Sequence, residues 1–126
     1  MSIEGFNFIA NELEQAGIKY EFGEWASNPV PEPYFVGEYS EIVPNSEDGE
    51  QNTTFMLTGT SRTWISLEQA KKIIENLFSK VTGKTAILSN GNGIAVFYEN
   101  AYTIPTDEAE LKRIQINLLI KEWSVK

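Results

Sequence analysis

The chain has 126 residues, 41% of them hydrophobic, a formal charge of −8, and neither cysteine nor histidine. That length and apolar content suit one ordinary domain with its own core, spanning 1–126, and exclude a wholly disordered chain. They also exclude a disulfide framework, thiolate chemistry and imidazole-based catalysis or zinc binding, while ten scattered Lys and Arg are too few for a tight nucleic-acid surface.

In chain order, Ser2 to Ala16 reads as a helix, because Ile3, Phe6, Ile9, Ala10 and Leu13 recur on one side. Ser2 and Glu4 suit its start and Gly17 its end, while Gly5 weakens the first turn. Ile18 to Phe22 alternates as a first strand. The link Asn28-Pro-Val-Pro-Glu-Pro33 carries too many prolines to lie inside a sheet. Tyr34 to Val43 and Asn52 to Thr63 read as two arms of a long hairpin, joined by the polar, acidic turn 44–51. Arms of this length reach roughly 30 Å.

Ser66 with Gln69 reads as a capping box opening a second helix to about Val81. Its apolar stripe contains Ile65, Leu67, Ala70, Ile73, Ile74, Leu77, Phe78 and Val81. Lys84 to Ser89 and Ile94 to Glu99 are short strands around the tight turn Asn90-Gly-Asn-Gly93. Residues 100–110 read as a connector. Leu111 to Ser124 is a long final strand, with Ile114, Ile116, Leu118 and Ile120 on one face and Arg113, Gln115, Asn117 and Lys121 on the other. The order α-β-β-β-α-β-β-β predicts an α+β fold, a mostly antiparallel sheet with both helices packed on it. The helix stripe should meet the final strand, burying Ile73, Ile74, Leu77, Ile116 and Leu118 together.

Motifs for chemistry are weak. The turn at Asn45, Glu47, Gly49 and Gln51 alternates like a calcium loop but lacks the opening Asp and closing Glu of an EF-hand. Asn90 to Gly93 lacks the Lys-Ser/Thr of a phosphate loop and precedes a strand instead of a helix. Glu38 and Glu41 have no motif that would make them a glycosidase pair. A small lyase or isomerase would need a pocket built from Glu, Tyr and Lys alone. The reading is therefore non-enzymatic, with no cofactor and no metal. No signal peptide or membrane span is visible, and the lack of cysteine suits a reducing cytoplasm.

The segments Pro33-Tyr-Phe-Val-Gly-Glu-Tyr39, Ser66-Leu-Glu-Gln-Ala-Lys-Lys-Ile-Ile-Glu-Asn-Leu77 and Lys112-Arg-Ile-Gln-Ile-Asn-Leu-Leu-Ile-Lys-Glu-Trp123, in this order behind an N-terminal helix, carry a resemblance over nearly the whole chain. The plan resembles the tail terminator and tail-completion proteins of long-tailed bacteriophages and prophages. The resemblance implies a small α+β subunit that forms a ring on the head-proximal end of the tail tube. Its implied partners are further copies of itself, tail-tube proteins and head-connector proteins. It implies assembly in the bacterial host cytoplasm and residence in the virion tail. No catalytic signature comes with it. The expected assembly surface is the hairpin, through Tyr34, Phe35 and Tyr39 and the tip residues Ser46, Glu47, Asp48, Gly49 and Glu50. An acidic surplus would also keep passing DNA from sticking to a channel wall. The alternative is a small acidic adaptor or inhibitor that docks on a basic protein surface.

Overall fold

The computed structural model describes residues 1–41 and 51–124. Among them the order is α1 (Ile3–Gln15), β1 (Tyr20–Phe22), β2 (Tyr34–Glu41), β3 (Gln51–Ser61), α2 (Trp64–Leu77), β4 (Lys84–Ile87), β5 (Gly93–Ile104) and β6 (Lys112–Trp123). The strands form one sheet in the order β1-β2-β3-β6-β5-β4. Its pairings are antiparallel apart from β1 with β2, which is parallel. This is the α+β element order that the hydrophobic periodicity predicts, with a mixed sheet.

α1 begins where Ser2 Oγ accepts the Gly5 N–H at 3.0 Å. It stops in a Schellman turn, with Gly17 N–H bonded to Glu14 O and Ile18 N–H to Leu13 O. Gly17 takes the left-handed φ of 83° that this turn requires. Buried Ile18 and Leu13 close the turn from the core side.

α2 starts one turn earlier than the sequence predicts. Thr63 is the N-cap, its Oγ1 accepting the Ser66 N–H, and Ser66 sits inside the first turn. Thr63 is as able a cap as Ser66, and the strand-like Trp64 and Ile65 mask the boundary. The helix also ends earlier, because Ser79 Oγ takes the N–H groups of Val81 and Thr82 in a local turn. Val81 is consequently 86% exposed.

β6 lies at the centre of the sheet, and its even positions deliver the expected apolar face. Ile114, Ile116, Leu118 and Ile120 are buried with Phe55 and Leu57 of β3 and Ile94, Val96 and Tyr98 of β5. Ile9 and Leu13 of α1 and Leu67, Ala70 and Ile74 of α2 join the same cluster. The expected meeting of α2 with β6 therefore holds for Ile74, while Leu77 is half-buried at the margin. Ile73 is a correction, since it is 43% exposed. It neighbours Ile74 on the helix, and the 100° step between successive residues turns it away from the sheet.

β5 runs on to Ile104 through what the sequence reads as a connector. A bulge between Tyr98 and Asn100 resets its register with β6, so the inward positions change from even to odd. Gly59 leaves room for a neighbour: a Cβ there would come within 2.4 Å of the Phe35 ring. Phe35 thus crosses from β2 to seal the core.

Candidate functional site

The residues expected on the assembly surface divide into separate environments. Ser46, Glu47, Asp48, Gly49 and Glu50 lie outside the described residues, as does the turn weighed as a calcium loop apart from Gln51. Phe35 is a correction: its side chain is 0% exposed, so it belongs to the core and not to a surface. Adjacent strand residues point to opposite faces, and Phe35 takes the helix-covered one. Tyr34 takes the uncovered face, half-buried at 5.5 Å from the Trp25 ring. Tyr39 is 46% exposed at the outer end of β2.

Tyr39 does not stand alone. Its ring centroid lies 5.7 Å from Phe22, which is 41% exposed and makes an edge contact with Phe6 at 4.9 Å. These rings form an aromatic ladder from β2 across β1 to α1, partly open to solvent. Exposed, connected aromatics of this kind are enriched at the centres of protein interfaces. The sequence shows the rings but not their alignment, which depends on the parallel pairing of β1 with β2.

Beside the ladder, a groove of about 780 Å³ separates α1 from β1 and the residues after it. Phe6, Ala10 and Glu14 line one wall, and Tyr20, Phe22 and Trp25 the other. Glu21 and Glu24 also line it. The Glu21 carboxylate is held below its ordinary pKa by hydrogen bonds from Ser27 and from the Ala26 N–H. Burial pushes the Tyr20 hydroxyl up to about 12, and that hydroxyl has no hydrogen-bond partner among the described residues.

Among the described residues, the opposite face of the sheet carries no helix. On it Gln115 donates to Asn117 at 2.9 Å, and Asn117 donates to Asn100 at 2.8 Å. The same side of β6 presents Arg113 and Lys121.

The polar clusters that resemble catalytic groups have structural work. Glu32 accepts the Ser61 hydroxyl at 3.0 Å and the Arg62 N–H. The Arg62 N–H, and then the Ser61 hydroxyl, hold its carboxyl below the usual range, so it remains an acceptor. This contact ties the proline-rich link to the junction of β3 and α2. Glu41 binds the Met1 ammonium at 2.9 Å and Gln51 Nε2 at 2.7 Å, which removes it from any carboxylate pair with Glu38.

Glu122 is buried at the start of α1. It accepts the Ser2 N–H at 2.9 Å and Asn92 Nδ2 at 2.7 Å. A Cβ on Gly5 would come within 2.7 Å of its Oε1, so this glycine admits the carboxylate to the helix terminus instead of merely weakening the first turn. Asn90 and Asn92 of the β4–β5 turn both reach carboxylates, those of Glu4 and Glu122, an environment that repels phosphate.

Among the described residues, no group of three or more His, Cys, Asp or Glu is placed to hold a metal ion. No helix there is long and apolar enough to cross a membrane.

No protein-family model matches the chain, and no curated protein matches it in sequence. A chain from the virion of a native gene transfer agent particle is similar in structure, with a TM-score of 0.63 and 10% sequence identity. The likeness covers 91% of this chain and 86% of that one. At this identity it is a likeness of fold.

Proposed function

We propose that the chain is a structural, non-catalytic component of a phage-type particle, and more specifically a ring-forming terminator of its tail tube. The observation that carries this reading is the near-complete fold likeness to a chain of a gene transfer agent virion. The order of segments that resembles tail terminators supports the finer assignment. In this reading the β2–β3 hairpin is the assembly arm, with Tyr39 presenting the exposed end of the aromatic ladder to a neighbouring copy. The subunit assembles in the bacterial host cytoplasm and remains in the virion tail, between tail-tube and head-connector proteins.

Deletion of the gene from a producing lysogen tests the proposal. The expected products are full heads together with tails that are over-long or unjoined, seen by negative-stain electron microscopy. Normal infectious particles from the deletion strain would reject it. The charge of −8 favours one second reading, an acidic adaptor or inhibitor that docks on a basic protein surface. That reading predicts wild-type particles from the same deletion.

A further inference from the structure

The groove between α1 and β1 combines features of a peptide-binding site. On α1, Phe6, Ala10 and Glu14 are spaced by four residues and share one helix face. Ala10 keeps that wall low. On the other side stands β1, the terminal strand of the sheet. It is paired with β2 along one side only, and its second backbone edge has no strand partner among the described residues. Phe6 and Phe22 are in edge contact and give the groove an aromatic lining. Glu14, Glu21 and Glu24 give it charge, against Lys19 as the lining cation. Glu21 is engaged by the adjoining backbone, whereas Glu14 and Glu24 are exposed and make no ion pair among the described residues.

We infer that this groove binds an extended segment of a partner protein in which Lys or Arg is interspersed with apolar residues, added as a strand to the free edge of β1. Each feature of the groove meets one feature of such a segment. Its backbone N–H and C=O groups pair with β1, which supplies affinity without regard to sequence. Alternate side chains point to opposite sides of the added strand. The set on the α1 side meets Phe6, Phe22 and Glu14, which line that side together, with apolar groups against the rings and a cation against the carboxylate. Glu24 draws a further cation, and each attraction is modest singly and falls with salt. A second copy of this chain is a poor occupant of this groove, because an acidic rim disfavours an acidic surface, and the copy-to-copy contact of the proposed ring is assigned to Tyr39 instead. The inference goes beyond the virion reading and does not depend on it, since a tail neighbour or an adaptor's target would each bring such a segment.

The test is fluorescence anisotropy with a labelled peptide of interspersed valine and lysine, both types present on each side of the extended chain, about ten residues long, the upper range of an ordinary strand. The peptide should bind the wild-type protein, and more weakly as salt rises. The double variant Glu14→Gln/Glu24→Gln should bind roughly three- to thirtyfold more weakly, as expected for two exposed charges. Its melting curve should match the wild type, because both side chains are exposed. Ala10→Arg should block binding. A remote pair, Glu108→Gln/Glu110→Gln, should leave the affinity unchanged. A probe with proline at alternate positions, which lacks those backbone donors, should not bind. The inference is overturned if the wild type does not bind the peptide, or if the remote pair weakens binding as much as the groove pair. Retained binding of the proline probe also overturns it. So does self-association of the wild type that the groove pair abolishes, which would make a second copy the occupant.

Discussion

At the scale of single residues, Glu122 is the side chain whose state reports on the fold. Burial alone would raise its pKa, but the Ser2 N–H, the Asn92 amide, the Ser2 side chain and the N-terminal charge outweigh it and hold the group below 4.5. A carboxyl with a depressed folded pKa adds stability that is fully present above its unfolded value. That stability is lost as pH falls through the folded value. The melting temperature should therefore drop as the solution is acidified below about pH 4.5. Glu122→Gln should lower stability at pH 7 by about 1–3 kcal/mol, the usual cost of disrupting a buried charged hydrogen bond. The gap between variant and wild type should close as pH falls through that window. Parallel melts at neutral and acid pH check this, and a gap that stays constant contradicts it. The sequence gives no sign of Glu122's role, because its partners Ser2 and Asn92 are remote along the chain and meet only when α1 docks on the sheet.

At the scale of elements, local patterning carried much of the fold, and it failed where tertiary structure interrupts a period. The even apolar positions of β6 were legible because a central strand with one covered face keeps strict alternation. The caps of α1 were legible because Ser2 and Gly17 act within one turn of themselves. The second half of β5 was hidden, since its bulge changes the alternation phase between Tyr98 and Asn100. The groove was hidden too, because its walls come from residues 6–14 and 20–27, and only the packing of α1 beside β1 brings them together. The aromatic residue Phe35 looked like a surface anchor, and strand composition alone does not reveal which face a helix covers. The contrast between Ile116 and Ile73 tests the packing directly. Ile116→Ala should cost about 2–5 kcal/mol, as for a fully buried aliphatic side chain, and Ile73→Ala well under 1 kcal/mol. Denaturant melts measure both, and equal losses would mean that α2 is turned differently on the sheet.

At the scale of the whole molecule, one sheet face is sealed by helices and the other carries an amide and hydroxyl surface with partly buried apolar residues. The two ends of the sheet are short strands, β1 and β4, and among the described residues parts of β2 and β5 have no strand partner on their outer sides. Edges of this kind invite pairing unless something covers them, and assembly into a particle is one way to cover them. The proposed ring would need such edges and an exposed anchor, the role proposed for Tyr39. Electron cryomicroscopy of intact particles from a producing host tests the central claim most directly. The account predicts a ring at the head-proximal end of the tail tube whose repeating density fits this six-stranded sheet with α1 and α2 on one face. Particles with fully traced tails and connectors, in which no density fits this chain, would contradict it.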